Sequence, residues 1–210
     1  MKKLAVLAAL VVAVLAALFV ARKAKAATAT MTGITLDQLQ AAMPSLPDDK
    51  AALYLPLLNA AMSEADISTP ARQTFFLAEL AHESNDLQWW QEFASGAAYE
   101  GRPDLGNVDP GDGMRFKGRG PIQLTGRKNY QDAGDALGLD LVEDPELVLT
   151  PEVGFRTSAW YWVTHDINAL ADAGDFDAAT RAINGGLNGI DDRRRRLALA
   201  QGALGVEAAA

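Results

Sequence analysis

The chain has 210 residues, 49% of them hydrophobic and 22% charged, enough for one well-buried domain with a small appendage. It contains no cysteine and only two histidines, His82 and His165, which excludes a disulfide scaffold and thiolate chemistry and leaves little material for a zinc site. The formal charge is −8; five of the 19 basic residues and none of the 27 acidic ones fall in the first 26 positions, so the remainder is more acidic still and a poor partner for nucleic acid.

Lys2 and Lys3 precede an unbroken apolar run of eighteen residues, 4–21, and Arg22, Lys23 and Lys25 follow it. As a helix the run is about 27 Å long, just under the roughly 30 Å hydrocarbon core of a bilayer. Seven of the eighteen residues are alanine, so the run is only modestly hydrophobic. The pattern predicts an export segment over 1–26: a cleaved signal peptide ending near Ala24, Lys25 and Ala26, a signal-anchor held in the inner membrane through 4–21, or an anchor that is later released. In each case the rest of the chain is expected outside the cytoplasmic membrane of a bacterial host, tethered or periplasmic, and acting as a monomer. Residues 27–33 read as a linker, and one catalytic domain is expected over 34–210.

Thr35 is placed to cap a short helix reaching about residue 43, which the 44–47 stretch with its two prolines ends. Leu53, Leu57, Leu58, Ala61 and Met62 recur at helical spacing and predict a second helix over 49–65. Thr69 as N-cap and Pro70 at the first helical position start a third, which carries Phe76 and Leu80 to about Glu83. A long glycine-punctuated loop follows over 96–120. Thr150 and Pro151 repeat the start signal for a helix bearing Phe155, Trp160, Tyr161 and Trp162, with both tryptophans assigned to the core. Residues 175–183 form another helix, ended by Asn184, Gly185 and Gly186, and 191–204 form the last. No set of strands alternates well enough to build a sheet. The expected fold class is therefore mainly α, with at most a minor β-hairpin in the loop.

Two carboxylates carry the chemistry. Glu83 falls in the last turn of the third helix at the edge of its apolar stripe, where partial desolvation and the negative end of the helix dipole both disfavour the ionised form, as a general acid requires. The alternative is a solvated helix-end glutamate beside Arg72 or His82. Glu100 lies in the polar loop between Tyr99 and Arg102, a setting in which a carboxylate stays ionised and orients a water. Glu92, Asp104, Asp109 and Asp112 compete with it for that role. A pair of carboxyls facing across a groove is the minimum equipment for cleaving a glycosidic bond. No nucleophile elbow, phosphate loop or dinucleotide fingerprint is present, and neither a metal nor a cofactor is expected.

The segments FFLAELAHES, YEGR, GMRFKGRGPIQLTGRKNY, SAWYWVT and AINGGLNG, in that order over roughly residues 70–206, resemble glycoside hydrolase family 19, the family of plant-type chitinases and of a group of bacteriophage endolysins and bacterial lysozymes. The resemblance implies a two-lobed, lysozyme-like helical fold and hydrolysis of β-1,4 bonds of N-acetylated amino sugars, with inversion at the anomeric carbon. It further implies that Glu83 is the general acid and Glu100 the general base, and that Thr125 helps hold the attacking water. Gln123 and Asn129 would bind sugar, Asn184 would contact substrate from the opposite wall, Arg193 would pair with the catalytic acids, and His82 would support Glu83. Arg194, Arg195 and Arg196 are expected on a solvated helix face. Tyr99, Trp89 and Trp90 would stack on sugars or else anchor the loop.

The chain departs from the plant-type pattern in three places. It lacks disulfides and cleft-extending loops, it has Asn188 where many members carry a glutamate after INGG, and its short turn at His165, Asp166 and Ile167 implies an open groove. The SGAAYEGR segment, the missing accessory binding domain and the export segment point to the lytic members. The expected function is that of an endolysin-like lysozyme cutting peptidoglycan and lysing the cell wall. Chitin is the alternative polymer, and a catalytically silent, envelope-tethered glycan-binding module is the third reading.

Overall fold

The computed structural model describes residues 33–207, so the expected export segment and all but the last residue of the expected linker lie outside the described residues. Among the described residues no helix is long and apolar enough to cross a membrane. Helix α1 (Leu36–Ala42) opens with a reciprocal cap: the Thr35 hydroxyl accepts from the Gln38 amide, and the Gln38 side chain accepts from Thr35 N–H. Helix α2 (Asp48–Glu64) places Asp48 and Asp49 in its first turn, where the helix dipole favours negative charge. Helix α3 (Pro70–Ser84) starts where the sequence signal put it, with Thr69 Oγ1 accepting from Arg72 N at 3.3 Å.

The glycine-rich loop is not featureless. It holds two 3-10 turns (Ala97–Tyr99 and Pro103–Leu105) and the single-turn helix α4 (Asp112–Arg115). Helix α5 (Arg127–Leu137) and a 3-10 turn (Pro145–Leu149) lead to α6 (Pro151–Thr164), after which come α7 (Ile167–Asp172), α8 (Phe176–Asn184) and α9 (Ile190–Leu204). The possible hairpin reduces, among the described residues, to isolated antiparallel bridges from Arg119 to Gln91 and to Leu124.

Three of these helices escape the sequence patterning. The stripe of α5 is narrow, Tyr130, Ala133, Gly134 and Leu137 in an otherwise polar segment, and its N-cap is Gly126, which has no side chain to signal a start. Helices α4 and α7 are too short to show a period. Thr150, expected to cap α6, makes no side-chain cap; its hydroxyl donates to the Leu147 carbonyl at 2.7 Å.

Two hydrophobic cores make two lobes, and α6 is common to both. On a helix, residues seven apart share a face and residues two apart do not. Phe155 and Trp162 accordingly lie in the larger core with Leu58, Phe76, Leu80 and Ile167. Val153 and Trp160 turn the other way, into a smaller core with Phe116, Leu124, Tyr130 and Leu137. A helix that is apolar on two sides is stable only when both are covered, which fixes α6 as the wall between the lobes. Trp162 is fully buried and meets Phe76 edge to face with ring centroids 5.1 Å apart, while Trp160 is 7% exposed, so the assignment of both indoles to the core holds. Trp162→Ala is expected to lower stability by about 3–5 kcal/mol in urea unfolding, since the surrounding rings cannot collapse into the space.

Candidate active site

The site begins where α3 ends. Asn85, Asp86 and Leu87 are three consecutive non-glycine residues with φ of 50°, 56° and 58°, a left-handed turn that costs on the order of 1–3 kcal/mol per residue unless its surroundings impose it. They do. Ser84 Oγ donates to the Leu80 carbonyl at 2.6 Å and accepts from Leu87 N at 2.9 Å, while the Ser84 carbonyl accepts from Trp89 N at 2.8 Å. Leu87 is fully buried, and Asp86 accepts from Ser45 N at 3.0 Å and pairs with Arg196. The indole of Trp90 donates to the Leu87 carbonyl at 2.7 Å and is wedged between Tyr54 and Phe155, with ring centroids 5.3 and 5.2 Å away.

Glu83 sits two residues before this turn, 18% exposed at its side chain, with Oε1 paired to Arg193 Nη2. Tyr161, which packs against both cores, has its phenol pushed up by burial and then by the negative charge of Glu83, so Glu83 lies at the seam of the lobes. His82 bonds through Nδ1 to Asp192 at 2.7 Å and lies against Gly189, where an added β-carbon would come within 2.5 Å of the ring. Burial acts to raise the Asp192 carboxyl, but hydrogen bonds from Arg196 and His82 outweigh it and hold it below the usual carboxylate range. Of the three arginines expected on a solvated face, Arg194 and Arg195 are there, 55% and 70% exposed; Arg196 is 15% exposed and tied to Asp86 and Asp192.

The opposite side is built from the loop. Glu92 N donates to the Gly118 carbonyl at 3.0 Å and Gly120 N to the Trp90 carbonyl at 2.8 Å, which lays residues 90–92 along 118–120. Glu92 Oε2 accepts from Tyr99 Oη at 3.1 Å and Gly118 N at 2.9 Å, whereas Oε1 is buried with no partner. A β-carbon built on Gly118 would stand 2.8 Å from Glu92 Oε2, 2.8 Å from Gln123 Oε1 and 3.3 Å from Thr125 Oγ1, so three oxygens converge on the space this glycine leaves open. Gln123 is held with φ of 57°, its amide donating to the Gly120 carbonyl at 3.0 Å. Thr125 Oγ1 donates to the Gln123 carbonyl at 2.8 Å, and Asn129 Nδ2 donates to the Thr125 carbonyl at 2.8 Å.

Glu100 stands apart from this group. Its two oxygens accept from Gly111 N at 2.6 Å and Gly113 N at 2.8 Å, which ties the start of α4 back to the loop. The other acids weighed with it are also engaged: Asp104 by Arg102, and Asp109 and Asp112 by Arg127. Asn184 is turned on its own segment, Nδ2 donating to the Asn188 carbonyl at 3.2 Å and Oδ1 accepting from Gly186 N at 2.8 Å. Trp89 is 51% exposed and meets Phe93, 83% exposed, edge to face. A concavity of about 550 Å³ beside Gly111, lined by Asp112, Arg115 and Arg127, contributes no group that hydrogen-bonds Glu83 or Glu92.

Comparison with known proteins fits this arrangement. The glycoside hydrolase family 19 model, described as chitinase class I, matches residues 81–188, just over half of the chain. The chain belongs to glycoside hydrolase family 19. Within the family it is 39% identical over 131 residues to Chitinase 11 of Oryza sativa subsp. japonica, covering 53% of this chain and 50% of the rice protein. It is 30% identical over 167 residues to a glycosyl hydrolase family 19 domain-containing protein of Haemophilus influenzae, covering 65% of this chain and 82% of that one. Chitinase C from Streptomyces griseus superposes with a TM-score of 0.70 at 26% identity, over 84% of this chain and 78% of that one. The chain thus spans half the length of the rice relative and most of the two bacterial ones. The mainly helical, two-lobed fold is that of the family. The matched span contains Glu83, Glu92, Glu100, Gln123, Thr125, Asn129 and Asn184, and stops short of Arg193.

Glu92 is the residue that local sequence leaves undecided, because its partner Gly118 lies 26 residues away. Two expectations follow for this family 19 domain. Ser84→Ala removes both hydroxyl bonds from the turn and is expected to cost about 1–3 kcal/mol in urea unfolding, with turnover falling further than stability alone explains. The second concerns pH. Arg127, hydrogen-bonded to the buried Asp112, holds that carboxyl below the usual range against the opposing effect of burial. A depressed folded value means the stabilisation is complete above about pH 4 and is lost as pH falls through the folded value. Asp112→Asn is therefore expected to destabilise by on the order of 2 kcal/mol at neutral pH, with the variant and unmodified stability curves converging under acid conditions.

Proposed function

We propose that the protein hydrolyses β-1,4 glycosidic bonds of bacterial peptidoglycan with inversion at the anomeric carbon, Glu83 acting as general acid and Glu92 as general base. Protonation of the leaving oxygen by Glu83 and proton abstraction from water by Glu92 proceed together, and the water attacks the opposite face of the sugar. The observation that carries this reading is the unpartnered oxygen of Glu92 in a carboxylate gathered with Gln123 and Thr125 over Gly118. Those oxygens suit the placement of a water, and Tyr99 and the Gly118 amide hold the carboxylate in place. Asn129 holds Thr125, and Gln123 and Asn184 take part in the sugar-binding walls.

Glu100, expected from the sequence as the base, serves here as a brace. Both of its oxygens already accept from backbone amides, at Gly111 and Gly113. The export segment over 1–26 carries the domain across the inner membrane to its polymer, tethered there or released into the periplasm. A second reading, chitin as the polymer, is favoured by the names of the rice and Streptomyces griseus relatives.

Mass analysis of fragments from purified peptidoglycan and from chitin oligomers tests the choice of polymer; faster release from chitin makes the second reading correct. On the polymer that is cut, Glu83→Gln and Glu92→Gln are each expected to lower kcat by about 10²–10⁴-fold, and Glu100→Gln by less than about tenfold. A silent Glu100→Gln variant beside a working Glu92→Gln would return the base to position 100. No turnover of either polymer by the unmodified protein leaves the glycan-binding module.

A further inference from the structure

Glu79 is fully buried, and nothing in the proposed reaction uses it. A carboxylate in a protein interior persists only with partners that replace its hydration. Glu79 Oε1 accepts from Thr180 Oγ1 at 2.7 Å, and Oε2 pairs with Arg193 Nη1. The other guanidinium nitrogen, Nη2, pairs with Glu83 Oε1, and Nε donates to the Asn188 carbonyl at 3.2 Å. Glu79 and Glu83 lie one turn apart on the same face of α3, so one buried guanidinium, 2% exposed, serves two carboxyl groups at once.

We propose that Glu79 is a positioning residue that sets how firmly Glu83 keeps its proton, acting through their shared Arg193. The inference rests on Glu83 being the acid of the proposed reaction. Two carboxyl groups on one guanidinium carry more negative charge than it neutralises when both are ionised, which is the geometric ground for coupling between them. Burial pushes the Glu79 carboxyl up, with Arg193 and Thr180 opposing and the nearby Glu83 adding to the rise.

The other charged groups on the elements packed around α3 are engaged elsewhere. His82 and Arg196 bond Asp192, Arg196 also bonds Asp86, Asp172 bonds Arg72, and Arg194 bonds Asp177. Asp37, Arg181 and Asp191 are at exposed positions. Tyr161 stays protonated, its phenol pushed up by burial and by Glu83.

Glu79→Gln keeps the shape and removes the second charge, so Arg193 then serves Glu83 alone and Glu83 gives up its proton more readily. In a profile of kcat/KM against pH on peptidoglycan or chitin oligomers, whichever the unmodified protein cuts, the alkaline limb is expected to move to lower pH by about one unit or more. Glu79→Asp retains the charge and is expected to leave that limb near its original position while lowering kcat. A folded Glu79→Gln protein with reduced turnover and an unmoved limb overturns the proposal, since a purely structural brace changes rate without changing titration. Should Glu79→Gln fail to fold, carboxyl-carbon NMR titration of the unmodified protein decides: a two-step curve for Glu83 that follows Glu79 is expected, and a single independent step overturns it. Glu83→Gln, assayed alongside, separates the two claims. If it retains turnover, the acid assignment has failed, while the NMR coupling still reports on the trio.

Discussion

The site depends on how the chain leaves α3. A helix that ended in a glycine would let the following segment depart in many directions; here Asn85, Asp86 and Leu87 all hold the left-handed conformation, which leaves one. Ser84 clamps the turn from within the helix, Leu87 is pulled down by its burial, and Asp86 is fixed by Arg196 from α9. Because each contact comes from a different element, the strained turn is imposed by the assembled fold and does not form on its own. Its effect is to bring Glu92 to the Gly118 loop nine positions after Glu83, with Trp90 locked into the larger core between them.

The two sides of the site obey different physics. The Glu83 side is ionic: Arg193 and Glu79 pair in the interior, where an unmatched charge is expensive, and the part-buried His82 pairs with Asp192. The Glu92 side is made of backbone amides, one phenol and one hydroxyl, brought together because Gly118 has no side chain. Helix α6 joins the two sides, giving Phe155 and Trp162 to one core and Val153 and Trp160 to the other.

What the sequence discloses and what it withholds divide along the distance over which each feature is set. Thr35, Thr69 and Pro70 mark helix starts because capping is decided within a turn, and those starts are where the structure has them. Glu83 was legible for the same reason, being placed by the period of its own helix. Helix α5 was not, because its stripe of Tyr130, Ala133 and Leu137 becomes apolar enough only once Phe116 and Leu124 cover it. The partners of Glu92 and Glu100 were not legible either: Gly118 and Tyr99 meet one while Gly111 and Gly113 meet the other, contacts set by the folded loop. The local partners of Asn184 are likewise set by its own turn, where its amide bonds Asn188 and Gly186.

The pairing of Glu79 with Arg193 has a consequence for descent. The two positions are 114 residues apart, and the dependence runs one way: without Arg193 the buried Glu79 is an orphaned carboxylate and carries a heavy penalty, whereas Arg193 without Glu79 still has Glu83. Related sequences that lose Arg193 should therefore have a neutral residue in place of Glu79, while a chain that kept Arg193 and lost the Glu79 charge would leave the whole guanidinium to Glu83.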